Sequence, residues 1–408
     1  LEKNKRIVII TTGQPSVNPR IVKEADAFAL HGHEVIVLYC FWIDWAQKAD
    51  ERIFKKSKWN HKQIGGTPFN NSRIYWFTRI QFKLVRTLNS LLGNILCIAE
   101  LSQARSYKQL LQAAKMIKAD WYIGHNLGAL AIAVKAAKFN LAKAGFDFED
   151  YHREENQPMS KVDRGRIEFL EKKYLPQINY ISTASPLITQ KVKSNFRELT
   201  IPIITINNAF SLSDQQNFIT KQENDNSIQL FWFSQTVGSG RGLETVLQAL
   251  NILNDKTFHL TLVGKHSNEI ETIFKTMAGS MSENIHFEGV VEGDKIMAIA
   301  ASMDIGLAIE QNTPYNRDIC LTNKIFTYLL AGNAIILTNT QAQTNFQNEY
   351  DVGLMYSVND VEQCCFVLNK YKSDKNLLSL QREKNWQLAN KILNWEKESE
   401  KLLNMVSR

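Results

Sequence analysis

Cysteine is scarce in this chain and badly spaced for structural work. Its five cysteines (Cys40, Cys97, Cys320, Cys364 and Cys365) form no Cys-x-x-Cys pair. This excludes a zinc ribbon and a disulfide framework, and points to reduced thiols in a cytoplasmic setting. No apolar run approaches ~18 residues, so no transmembrane helix is expected. The first apolar run, Ile7 to Ile10, reads as a strand and not as a leader. Low-complexity tracts and short repeats are missing, which excludes fibrous and solenoid architectures. Residues 8–13 lack the Gly-x-Gly-x-x-Gly turn of a nicotinamide dehydrogenase. A large charge of one sign is also missing. Lys+Arg 48 against Asp+Glu 41 leaves +7, modest for a dedicated DNA binder but suited to anionic small molecules or an anionic membrane surface.

What the chain does have is apolar material in a regular order. With 408 residues, 44% of them hydrophobic, two domains are expected. Arg6 to Thr12 reads as a buried parallel strand, Arg20 to Leu30 as a helix, and Glu34 to Cys40 as a second strand, which together make a βαβ unit. Residues 42–68 interrupt the pattern with Trp42, Trp45 and Trp59 set among lysines. Residues 81–118 read as basic, amphipathic helices. Alternation resumes with strands at 121–124, 144–148 and 180–182 and helices at 127–138, 163–174 and 186–194. A second alternating series starts at Ile228 and runs to a strand at 334–337. A helix near 359–370 and a long helix from about 376 close the chain. The polar segment Asp214 to Ser227 reads as the linker between the halves. The expectation is an α/β protein of two Rossmann-like, doubly wound domains facing across a cleft. They would span residues 1–205 and 206–382, with a helix at about 383–408 packing back on the first. Ligands of such sheets bind beyond the carboxyl ends of the strands.

Several segments at those strand ends have the residue types for chemistry. Leu321 to Ile336 reads as a helix that starts near Asn323, ends at Gly332 and runs into a strand. Asn323 and Lys324 then lie where unpaired N–H groups and the positive dipole end welcome an anion. Gly238, Gly240, Arg241 and Gly242 follow a strand and open a helix. Read one way, they let a phosphate approach the backbone, with Arg241 forking onto its oxygens; read another, they are a flexible turn with a surface arginine. Glu310, Asn316, Arg317 and Asp318 sit on the loop feeding the Asn323 helix, as sugar-hydroxyl ligands or as a solvated loop. His125 ends a strand where it is expected to face the crevice, although structural histidines are common. Asp147, Glu149, Asp150, His152 and Glu155 form a polar cluster at another strand end. The cluster suits proton transfer at an acceptor hydroxyl, a magnesium site, or simple helix capping. Its spacing matches no metal motif. The Trp/Lys-rich 42–62 segment and the 81–118 helices suit a peripheral contact with an anionic membrane, with solvated helical faces as the alternative.

Taken together these residues resemble a GT-B glycosyltransferase, close to glycosyltransferase family 4, over nearly the whole chain. The carriers are Asn18-Pro19-Arg20 followed by Gly32-His33-Glu34-Val35, then Tyr122 to Leu130 around His125-Asn126, Asp147 to His152, Asn207 to Phe210, and Asn323 to Gly332. The resemblance implies a nucleotide-diphosphate sugar donor held mainly by the second domain and a glycan or lipid-linked acceptor at the first. It also implies transfer with retention, no required metal or other cofactor, and a place in bacterial surface-polysaccharide assembly on the inner face of the cell membrane. Carried over, Arg241 and Lys324 hold the diphosphate, Gly13 lets it approach the first domain, and His125 touches the donor sugar. Asp147, Glu149, Asp150, His152 and Glu155 lie on the acceptor side. The family's paired glutamates, of which the second is a ribose ligand, fall at Ile319 (beside Asp318) and Thr327, so those contacts depart from the pattern. A nucleotide-sugar 2-epimerase of the same fold and a non-catalytic sugar-nucleotide binding protein are the alternatives.

Overall fold

The computed structural model describes residues 4–95, 97–155, 158–219 and 226–407. The chain separates into two compact units, Leu1–Ile206 with Ser399–Arg408, and Asn207–Glu398. Most of the expected 383–408 helix therefore stays with the second unit. It is two helices, broken at residues 392–394, and only the end of the second clusters with the first unit. Of the expected 214–227 linker, residues 220–225 lie outside the described residues.

The first unit is built on a seven-stranded, all-parallel sheet. Its strands are β1 (Arg6–Thr11), β2 (Glu34–Cys40), β3 (Asn60–Ile64), β4 (Trp121–His125), β5 (Lys143–Phe148), β6 (Tyr180–Thr183) and β7 (Ile203–Thr205), in the order β3-β2-β1-β4-β5-β6-β7. The helices are α1 (Pro19–Leu30), α2 (Asp44–Lys56), α3 (Ser72–Leu92), α4 (Ile98–Gln103), α5 (Tyr107–Met116), α6 (Leu127–Asn140), α7 (Lys161–Tyr174) and α8 (Pro186–Asn195). Ile7 to Ile10 are wholly buried, as a strand covered on both faces must be. Helix α6 is buried on most sides from Leu127 to Ala137, with only its last turn exposed at Lys138 and Phe139, so it shows little amphipathic contrast. The interruption at 42–68 proves to hold α2 and the edge strand β3. Four of β3's five residues are exposed, which is why no apolar run marks it. The helical 81–118 stretch is three helices, the first of which starts nine residues earlier, at Ser72.

The second unit has a six-stranded parallel sheet in the order β10-β9-β8-β11-β12-β13. Its strands are β8 (Ile228–Thr236), β9 (Phe258–Lys265), β10 (Ile285–Phe287), β11 (Ile305–Ala308), β12 (Ala334–Thr338) and β13 (Gly353–Tyr356). The helices are α9 (Leu243–Leu253), α10 (Asn268–Ala278), α11 (Gly293–Ala301), α12 (Tyr315–Ile319), α13 (Asn323–Ala331), α14 (Gln341–Tyr350), α15 (Val361–Ser373), α16 (Lys375–Lys391) and α17 (Trp395–Ser407). Trp232, Leu247, Phe258, Leu262 and Phe274 lie in one contiguous core. In both sheets the strand order reverses beside the first strand, between β1 and β4 and again between β8 and β11. Loops on the two sides of such a switch point diverge and leave a crevice at the strands' carboxyl ends.

Candidate functional site

The switch point of the second unit brings together two helix N-termini. Past β8 the chain turns through Gly238, Gly240 and Gly242 into α9. Gly240 and Gly242 have φ of +73° and +84°, a region that suits glycine, and Gly242 is the residue preceding the helix. A Cβ at Gly238 or Gly240 would meet nothing within 4 Å, so the space beside this loop is open. Past β11 the loop enters α13. Gly332 ends that helix in the left-handed conformation and strand β12 follows, as the sequence implies. The helix is pinned over the sheet by Tyr328, whose hydroxyl donates to the carbonyls of Phe231 (3.2 Å) and Leu307 (3.4 Å). Gly306 makes this possible, since a Cβ there would fall 2.1 Å from the Tyr328 ring.

Neither N-terminus has a side-chain cap. Gly242 has no side chain to offer α9, and Thr322, which precedes α13, makes no capping bond. Its Oγ1 is buried without a hydrogen-bond partner. Buried hydroxyls are normally satisfied, and first-turn N–H groups without a cap are an anion's natural partners. Cations converge on the same place. Arg241 Nη1 donates to Ser234 Oγ at 3.2 Å, and Arg317 Nη1 to the Gly240 carbonyl at 3.1 Å. Burial and the neighbouring Arg317 charge pull the Arg241 pKa below its usual value, with Glu310 opposing. The two guanidinium groups repel each other there, and the loop also holds a carboxylate, since Gly240 N–H donates to Glu244 Oε1 at 2.7 Å. Lys324 is buried, 2.8 Å from Glu310 Oε1, with its ammonium 5.4 Å from the centre of the Trp232 ring.

The other residues expected on the donor side have internal partners. The Asp318 carboxylate accepts from Gln341 N (2.9 Å) and Nε2 (2.5 Å), so it secures the start of α14. Thr327 is buried and its hydroxyl donates to the Asn323 carbonyl one turn back. Ile319 is also buried.

In the first unit the expected crevice-facing histidine is sealed in. His125 ends the central strand β4 and is 0% exposed. It faces α1, where Arg20 and Glu24, one helical turn apart, point at the sheet. Its Nε2 lies 3.1 Å from Glu24 Oε2 and its Nδ1 3.7 Å from Asp147 Oδ2. Asp147 in turn accepts from Arg20 Nε (2.9 Å) and Nη2 (2.8 Å) and from Ser182 Oγ (2.6 Å). Burial works against a charge on His125, but the facing Glu24 and Asp147 outweigh it and raise its pKa. For Asp147, burial is likewise outweighed, by Arg20 and His125, and its pKa falls. Glu24, His125 and Asp147 place ligand atoms within 4.8 Å of one another, close enough to hold a metal ion. The Arg20 guanidinium already supplies a cation there.

The acceptor-side cluster thus divides. Asp147 belongs to this sealed network. Half-buried Glu149 has its carboxyl pushed up to about 7 by burial and by the charge of Asp150. His152 and Glu155 line a cavity of 270 Å³ with Arg86, Gln103, Asp163 and Arg166. The His152 pKa is raised, burial notwithstanding, by Glu171 and Glu155. Gly13, after β1, has nothing within 4 Å of where a Cβ would stand. Arg20, Glu24 and Thr322 gave no signal as site residues, although the i, i+4 spacing of Arg20 and Glu24 marks one helix face.

No family model matches the chain, and no curated protein matches it. Solved structures do. HepE from Anabaena, in complex with UDP and glucose, superposes with a TM-score of 0.68 over 99% of this chain and 100% of its own, at 12% identity. A glycosyltransferase from Rickettsia africae gives 0.65 over 99% and 98%, at 13% identity. A TarM variant from S. aureus, in complex with alpha-GlcNAc-glycerol and UDP among its ligands, gives 0.65 over 99% and 100%, at 9% identity. At such identities the likeness establishes the fold: the chain has the GT-B architecture, with two Rossmann-like α/β domains.

Proposed function

We propose that the protein is a family 4-like glycosyltransferase that moves a sugar from a nucleotide diphosphate to a hydroxyl of a glycan or lipid-linked acceptor, with retention. The observation that supports this most directly is the pair of uncapped N-termini, α9 and α13, meeting Arg241 and Arg317 at the switch point of the second unit. In this reading the diphosphate lies across both N-termini. The forks of Arg241 and Arg317 take its oxygens, and Lys324 shares its charge between Glu310 and the phosphate. The bond from the anomeric carbon to the phosphate oxygen breaks, and the acceptor oxygen attacks from the same face, its proton passing to the departing phosphate. Asn323 N–H and the open loop at Gly238 complete the donor side, with the Gly240 N–H already held by Glu244 Oε1 at 2.7 Å. In this reading Glu149 and Asp150 order the acceptor hydroxyl, and a carboxyl near 7 can hold or release a proton at neutral pH. In this reading His125, buried beside Glu24 and Asp147, acts on the end of β4 from within.

UDP is the first nucleotide to test, because HepE and TarM were crystallised with it. A thermal-shift screen of UDP-, GDP- and dTDP-sugars is expected to give one nucleotide that raises Tm, since only a ligand of the native state does so. The same shift should be missing in Arg241→Ala. If no sugar nucleotide shifts either protein, the reading fails. Turnover of the donor by the enzyme alone, to an epimer, would assign it to the 2-epimerases. Tight donor binding without transfer to any acceptor would make it a binding protein.

A further inference from the structure

Helix α3 (Ser72–Leu92) carries an apolar stripe that the described residues leave largely exposed. Phe77, Ile80, Leu84, Leu88 and Leu91 follow one another at intervals of three and four residues, the spacing of a single helix face. They are 62%, 59%, 61%, 43% and 74% exposed. The opposite face, with Tyr75, Thr78 and Asn89, is the buried one. A helix that buries one face and offers a second apolar face to water is not explained by the core, and a patch of this extent marks an interaction surface. The patch extends beyond the start of the helix, where Phe69 is 78% exposed. The exposed Trp42 directly follows Phe41, whose ring meets Tyr75 edge-on at 5.8 Å.

The charge around the stripe selects its partner. From residue 52 to residue 99 the chain has nine lysines and arginines and no aspartate or glutamate. Arg73, Arg79 and Lys83 are exposed on α3 itself. Arg86 is tied to Asp163 at 2.8 Å, which fixes the helix to α7. A second copy of this chain would bring the exposed Arg73, Arg79 and Lys83 against their like; an anionic bilayer brings the opposite sign. We propose that α3 is a monotopic membrane anchor. It would lie in the plane of an anionic bilayer with the Phe77–Leu91 stripe among the acyl chains and Arg73 and Lys83 at the headgroups. Among the described residues no helix is long and apolar enough to cross a membrane, so the helix rests on the surface. The inference does not depend on the donor site, and it moves the basic surface expected at 42–62 and 81–118 onto one helix face.

The test is cosedimentation of the full chain with vesicles of phosphatidylcholine containing about a third phosphatidylglycerol, against phosphatidylcholine alone. Binding is expected to the anionic vesicles only, and to weaken as salt rises. Leu84→Glu with Leu88→Glu should reduce it about tenfold or more, and Arg73→Glu with Lys83→Glu by a similar factor. Leu141→Glu, at a still more exposed apolar residue elsewhere, should leave it unchanged. All these side chains are exposed, so Tm should hold in each variant. Absence of binding to the anionic vesicles, or binding that survives the α3 variants, overturns the proposal. So does a doubled molar mass by light scattering that Leu84→Glu abolishes, because it would give the face to a second copy. The sugar-nucleotide thermal shift, read without vesicles, reports on the donor site separately, so either reading can fail while the other stands.

Discussion

Each sheet gathers charged side chains at the carboxyl ends of its central strands, and the two gatherings differ in how they are satisfied. In the first unit Arg20, Glu24, His125 and Asp147 form a closed network in which every side chain is 0% exposed. In the second, Arg241 and Arg317 face each other beside two helix N-termini that no side chain caps. The first group pairs its charges internally and leaves only His125 Nδ1 and Glu24 Oε1 without a hydrogen-bond partner among its buried side-chain atoms, whereas the second sets two mutually repelling guanidinium groups beside helix N-termini, with Glu310 and Glu244 as the nearby carboxylates. Position at a strand end therefore does not by itself make a charged residue a ligand; the balance of charge around it decides.

Replacing Arg20 by Met should have the largest effect. It strands Asp147 and Glu24 without their cation, and losing one partner of a buried pair costs about 3–5 kcal/mol. The urea midpoint should fall accordingly, and an unchanged midpoint would dissolve the contrast. Arg241→Ala should do the opposite, lowering kcat/KM with the true donor by about 10²–10³-fold while the urea midpoint stays put. Full turnover in this variant removes the residue from the donor site.

Those two expectations also measure how far the sequence could be read. The strands β1, β2, β4 and β5 were legible because burial on both faces demands unbroken apolar runs, and the α13–Gly332–β12 passage because a helix end needs a left-handed residue. Strand β3 was not, since its exposed residues need no such pattern, and β7, β13 and α14 were too short or too mixed to mark themselves. His125 and Asp147 were found as chemical residues but assigned to a crevice. Their partner Arg20 lies 127 residues from Asp147 in the chain, and no local pattern announces a pairing over that distance. Thr322 became visible only once its hydroxyl was seen to lack a partner.

Two smaller effects sharpen the comparison. Gly306→Ala would drive a methyl into the Tyr328 ring, at 2.1 Å from its nearest atom. It should destabilise by about 1–3 kcal/mol and, by lifting α13, shrink the thermal shift given by the donor. A variant that keeps the full shift would show that α13 does not need to sit where Tyr328 puts it. The pH response of the sealed network should be smallest. The His125 pKa is raised by folding, so its contribution to stability is complete below the unfolded value near 6.5 and disappears as pH climbs through the folded one. Asp147, with a lowered pKa, contributes above its usual value and stops doing so as pH falls through the folded one. Stability followed from pH 6 to 9 by urea titration at about unit intervals should therefore decline in the wild type. In His125→Gln it should decline less. Equal slopes would mean that the imidazole is not charged in the folded protein.

Helix α17 has a consequence for how the protein is made. Lys5 and Trp121 both donate to the Val406 carbonyl, and Leu402 and Val406 are wholly enclosed in the first unit. The seven strands of the first unit are complete by Thr205, but the end of helix α17, from Ser399, joins that unit only after the whole of the second unit, Asn207–Glu398, has been translated.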